Sequence, residues 1–201
     1  MFSLIRMILS VLLLLIFLFL INYFTKRNRR RWYIVLLVCF VLSSTALAFV
    51  PFEDAFFRFS SPESAFKYYY PKTKDIDLII EGNESTYVVG SESDRFKYLI
   101  IPKEDKGWKV GLGIYTQTVH SEFTNNVVIH IYRFKETADY YIRVLDPVNG
   151  KVTVTDSCGS EFLCIKDETG AEPTFLYLAH ISDFSDSYHV SVNGKKIFIH
   201  P

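Results

Sequence analysis

The chain has 201 residues, with 22 Lys or Arg balanced by 22 Asp or Glu, and 49% of it is hydrophobic. The zero net charge is the sum of two unequal parts: residues 1–51 hold six bases and no acid, which leaves 16 bases against all 22 acids in the remainder, a net of about −6. Counterion release needs clustered cations, so the acidic remainder excludes nucleic acid as a partner and disfavours docking on anionic headgroups.

The first elements are two apolar runs, Met7 to Phe24 and Trp32 to Val50, on either side of Lys26, Arg27, Arg29, Arg30 and Arg31. Each reaches ~27 Å as a helix, close to the ~30 Å of a hydrocarbon core. The pattern predicts an N-terminal two-helix transmembrane hairpin over 1–51, with helices at about 7–24 and 32–50 and a cytoplasmic loop at 25–31. The five cations act as topology determinants, because moving even one Lys or Arg through the bilayer centre costs ~2.5–3.5 kcal/mol. The expected placement is therefore a multi-pass protein of the cell membrane, partnered with the lipid bilayer, whose C-terminal domain is extracytoplasmic.

A second reading takes residues 26–48 as a signal peptide ending at Ala46-Leu47-Ala48. It exports the same domain. Cys39 lies mid-span and lacks the small preceding residue of a lipidation site.

Residues 52–60 form a juxtamembrane aromatic segment in which Phe49, Phe52, Phe56 and Phe59 recur at helical spacing. A short helix is expected over 61–70: Ser61 suits an N-cap, Pro62 the first turn, and Glu63 the positive helix end, with Pro71 as the stop. Ala65, Phe66, Tyr69 and Tyr70 would make its apolar face. Ser64 and Lys67 spell S-x-x-K, but no S-D-N or K-T-G accompanies them, so a penicillin-interacting serine enzyme is rejected.

From Asp75 onward, short runs rich in Val, Ile, Tyr and Phe alternate with turn-forming clusters. Three stretches look alike, each a hairpin with a glycine, at Gly107, Gly150 and Gly194, spaced by 43 and 44 residues. Each is preceded by a further strand. The expected class is thus membrane plus α+β: the hairpin, then one short helix packed on a mainly antiparallel β-meander sheet, sandwich or half-open barrel of about nine strands, filling 61–201. Asn193-Gly194 is the sharpest local signal, since a type I′ turn needs positive φ at both central residues.

Cys158 and Cys164 make a candidate disulfide, which an oxidising compartment would preserve if their Cα atoms approach within ~7 Å. No catalytic, cofactor-binding or metal-binding residue is assigned. His120, His130, His180, His189 and His200 are scattered without ligand spacing, and there is no G-x-S-x-G, P-loop or G-x-G-x-x-G pattern. Asp75, Asp77, Glu81, Glu84, Asp183 and Asp186 suit solvated turns better than calcium. Asn83-Glu84-Ser85 is a formal glycosylation sequon.

With Ser61 to Pro71 followed by strands and a Gly-Trp-Lys-Val hairpin, residues 60–200 resemble uncharacterised membrane-anchored extracytoplasmic β-domain proteins of Gram-positive bacteria. The resemblance implies a location and no activity. The expected function is a membrane-tethered binding or interaction module with a membrane or envelope protein partner. Two alternatives stand beside it: an envelope hydrolase with a dispersed site drawn from His130, His180, His189 and nearby acids, and an accessory subunit acting through its hairpin.

Overall fold

A computed structural model of the protein describes residues 4–25, 30–49, 57–92, 95–110, 116–124, 126–146, 152–167, 174–182 and 184–199. The chain divides into two compact units, Met1–Phe57 and Arg58–Pro201.

In the first unit, α1 (Leu4–Thr25) and α2 (Arg30–Phe49) are helices built from Leu, Ile, Val and Phe. Phe17 stacks on Phe40 with ring centroids 4.8 Å apart, while Phe19 and Leu42 are exposed. The expected transmembrane hairpin is not supported: among the described residues no helix is long and apolar enough to cross a membrane. The multi-pass cell-membrane placement and the extracytoplasmic C-terminal domain rested on those spans and fail with them. Arg30 and Arg31 belong to the first turn of α2 rather than to a loop, whereas Lys26, Arg27 and Arg29 lie outside the described residues, as do residues 52–56 of the aromatic segment.

The second unit begins with α3 (Pro62–Tyr69), which forms where expected. Ser61 is its N-cap, its hydroxyl accepting from the Ser64 N–H at 3.3 Å, and Pro62 opens the first turn, where its missing N–H costs nothing. Ala65 and Phe66 are wholly buried against Val88, Leu99 and Ile101.

Twelve strands are described, in three antiparallel sheets. The first sheet has the order β1-β2-β3-β4, made of β1 (Asp75–Glu81), β2 (Ser85–Glu92), β3 (Arg95–Glu104) and β4 (Gly107–Trp108). The middle sheet has the order β5-β6-β7-β10-β9, made of β5 (Thr116–Thr124), β6 (Val127–Phe134), β7 (Tyr140–Asp146), β9 (Leu163–Asp167) and β10 (Thr174–Ile181). The third has the order β12-β11-β8, made of β8 (Val154–Asp156), β11 (His189–Val192) and β12 (Lys195–Phe198).

Strand alternation makes the middle sheet apolar on both faces. Ile129, Ile131, Ile142, Val144, Ala179 and Ile181 point to one side and pack with Val190, Val192, Ile197 and Ile199 of the third sheet and its C-terminal end. Tyr141, Phe134, Leu176 and Leu178 point to the other and meet Ile80, Tyr87, Val89 and Ile100 of the first sheet. The stacking runs helix, sheet, sheet, sheet, with a separate apolar core in each gap.

The three look-alike hairpins do not form three equal units. The β3–β4 hairpin closes through only Lys103↔Trp108 and Glu104↔Gly107. β8 leaves β7 to pair with β11, and β10 pairs with β7 and β9 rather than with β11. Asn193-Gly194 makes the β11–β12 turn with positive φ at both residues, 49° and 79°.

Candidate functional site

On the face of the middle sheet turned to the first, opposed residues of neighbouring strands form rows. One row runs Ser121, His130, Arg143, Leu178; the next runs Thr118, Tyr132, Tyr141, His180. Exposure falls along the first row, from exposed Ser121 through half-buried His130 and Arg143 to buried Leu178. β5 contributes nothing to the apolar core on this side, and its Phe123 is 69% exposed. The face is therefore open at β5 and closed at β10.

Arg143 occupies the centre of this gradient. Its guanidinium lies 4.9 Å from the ring centroid of Tyr98, from the first sheet, and 5.3 Å from that of Tyr132, beside it on β6. A half-buried guanidinium gains from such ring faces because they carry negative quadrupole charge. It also donates to the hydroxyl of buried Tyr87, which stacks on Tyr132 and Tyr141. Among the described residues no carboxylate pairs with Arg143.

The same environment shifts its neighbours. Burial lowers the His130 imidazole below its ordinary value, and the positive charges at Arg143 and His120 push it the same way. Burial raises the Tyr132 phenol, with Arg143 opposing.

A second constellation lies farther along, at Asp139. This residue precedes β7 and is 1% exposed. Its Oδ1 accepts from the Asn83 N–H at 2.8 Å and from His180 Nε2 at 3.1 Å; its Oδ2 accepts from the Glu84 N–H and the Ser85 hydroxyl, each at 2.8 Å. Ser85 Oγ is also 2.9 Å from the Tyr141 hydroxyl. Burial alone would raise the Asp139 carboxyl, but the hydrogen bonds from His180, Asn83, Glu84 and Ser85 outweigh it and hold the group well below the usual carboxylate range.

Ser, His and Asp thus meet, yet in an order unsuited to nucleophilic catalysis. A serine nucleophile needs the imidazole between hydroxyl and carboxylate. Here the carboxylate stands between the other two, and Ser85 is fully buried. The arrangement instead ties the β1–β2 turn of the first sheet to β7 and β10 of the middle sheet. Close approach there requires Gly82, where an added Cβ would sit 2.8 Å from Asp139 Oδ2.

The remaining histidines are dispersed. His120 Nε2 is 3.2 Å from Glu122 on β5, and His189 lies on β11 against the ring of Phe198. His200 and Asp183 lie outside the described residues. No group of three or more His, Cys, Asp or Glu among the described residues is placed to hold a metal. Cys158 and Cys164 are exposed and form no disulfide. Ser85 of the sequon is the buried hydroxyl of the Asp139 network, and Ser64 bonds back to Ser61 at the start of α3.

Arg143, Tyr87, Tyr98, Tyr132 and Asp139 carry no motif and were not singled out by sequence. The available signal was Arg143 itself, a cation inside the strand pattern Tyr141-Ile142-Arg143-Val144, where alternation demands an inward residue on a covered face. Comparison with protein-family models, with curated proteins and with solved structures found no match to this chain.

Proposed function

We propose that residues 58–201 form a ligand-recognition module, and that its contact surface is the polar and aromatic face around Arg143, His130, Tyr98 and Tyr132. The observation that supports it is the half-buried guanidinium held against two tyrosine rings, with no carboxylate partner among the described residues. Keeping such a charge out of water without neutralising it is costly unless the site is completed by something else. The hydrolase alternative draws on the His180–Asp139 hydrogen bond, but no described nucleophile bonds His180, and Ser85 donates to the carboxylate.

The test is a small-fragment screen against the isotopically labelled full chain by NMR. Recognition predicts saturable shifts at His130, Tyr98 and Tyr132, with His180 unmoved. Turnover of an activated ester that disappears in His180→Ala or Ser85→Ala, without loss of fold, would replace this reading by the hydrolase one.

A further inference from the structure

We infer that the Arg143 guanidinium takes the carboxylate of a small organic ligand that enters across β5. The inference rests on the recognition reading of the same face and assigns the class of ligand. The guanidinium carbon lies over the ring of Tyr98 at 4.9 Å and over that of Tyr132 at 5.3 Å, and among the described residues no carboxylate pairs with it. One N–H serves the Tyr87 hydroxyl. The other N–H groups form the fork that matches a carboxylate in a bidentate pair.

Three observations select the ligand's remaining chemistry. The site offers one fixed cation, because His130 is pushed toward its neutral form by burial and by Arg143 itself; a monoanion balances one cation, whereas a phosphate dianion would bring an uncompensated charge. The unit around it is acidic, with a net charge of about −6 after residue 51, which penalises the dianion further. Finally, the open end of the row carries exposed Ser121 and, two positions along the same face of β5, exposed Phe123; Phe96 of the first sheet packs against Tyr98 with ring centroids 6.3 Å apart. A ligand with an aromatic or otherwise apolar body has contacts there that a bare inorganic anion cannot use.

The decisive comparison uses the full chain and three probes: benzoate, its neutral isostere benzamide, and inorganic phosphate. The readouts are the Arg143 Nε–Hε signal and the His130 ring signals in NMR titrations. Benzoate should move both saturably, and benzamide should bind at least tenfold more weakly. Arg143→Lys, which keeps the charge but loses the fork, should also weaken benzoate at least tenfold, with the other benzoate-independent signals in place. Equal binding of benzoate and benzamide, or tighter binding of phosphate, overturns the carboxylate assignment while leaving the recognition face intact. If none of the three probes moves Arg143 or His130 and a wider fragment set leaves Tyr98 and Tyr132 unmoved too, the recognition reading falls along with it. The wild-type comparison decides the matter even if the variant does not fold.

Discussion

Asp139 is the residue whose removal should most clearly separate a structural network from a catalytic one. Asp139→Ala leaves the Asn83 and Glu84 N–H groups, the Ser85 hydroxyl and His180 Nε2 without their acceptor, in a place that is 1% exposed. Each hydrogen bond to a charged group contributes ~1.5–3 kcal/mol, and removing one partner of a buried charged pair costs ~3–5 kcal/mol. Because the four bonds share one group they are not additive, and the expected loss is ~3–5 kcal/mol. Asp139→Asn keeps the shape and one acceptor oxygen but turns an NH2 toward existing donors, for an expected loss of ~1.5–3 kcal/mol. Urea unfolding of the full chain, followed by far-UV circular dichroism, reads both. The pH dependence gives an independent check. The folded carboxyl lies below its unfolded value, near ~3.9, so between the two values the unfolded chain binds the extra proton. Its stabilisation is fully present above about pH 4 and is lost as pH falls toward the folded value. Asp139→Asn should remove that part of the acid sensitivity. A loss below ~1 kcal/mol for the alanine variant, or an unchanged acid slope in the asparagine variant, would refute the account of Asp139 as the tie between two sheets.

Three further outcomes follow from particular contacts. Phe66→Ala, at a fully buried ring beneath α3, should destabilise the chain by ~3–5 kcal/mol in the same urea assay. Gly90→Ala would place a Cβ 2.7 Å from Thr73 Cγ2 and 2.9 Å from the Asp75 carbonyl oxygen, and the rigid backbone contact predicts a loss of ~1–3 kcal/mol; Gly194→Ala meets nothing within 4 Å, so only its φ of +79° should cost, at ~1–2 kcal/mol. Thiol labelling of the untreated chain should modify both Cys158 and Cys164, since both are exposed and form no disulfide; protection of the pair that is relieved by reductant would show that they bridge.

Sequence resolved the parts of this fold whose cause is local. Ser61, Pro62 and Glu63 specify the start of α3 through capping and charge within one turn, and Asn193-Gly194 specifies a turn through the φ values of two residues. The β class is legible for the same reason, because alternation and turn chemistry act over a few positions. What escaped depends on partners distant in the chain. Tyr141 to Val144 reads as the first strand of a hairpin, but its neighbours are β6 and β10, and Val154 pairs with Val192 instead. The three similar glycine hairpins share a local cause and have different destinations. The N-terminal reading went wrong in another way: runs of apolar residues report an apolar surrounding of any kind, and among the described residues no helix is long and apolar enough to cross a membrane.

The two polar constellations show why a residue list is a poor guide to chemistry here. Ser85, Asp139 and His180 are the residue types of a hydrolase, drawn from β2, the β6–β7 turn and β10, yet every hydrogen bond they make is spent within the protein. Asp139 is surrounded by donors and is nearly inaccessible. Arg143 belongs to no motif, but it retains what a recognition group requires: partial access, an unneutralised charge among the described residues, and two tyrosine rings packed against it. The two sites lie in adjacent rows of one sheet and face the same gap, so their difference comes from position along the exposure gradient. The row that ends at β5 is open to a ligand, and the row that ends at His180 is occupied by the β1–β2 turn. A substitution that loosens the Asp139 tie should therefore disturb the Tyr87 and Tyr141 stack and, through it, the orientation of Arg143. Asp139→Asn is accordingly expected to weaken benzoate binding by a few fold although Asp139 touches no part of the proposed ligand, and unchanged affinity in a folded Asp139→Asn variant would show the two rows to be independent.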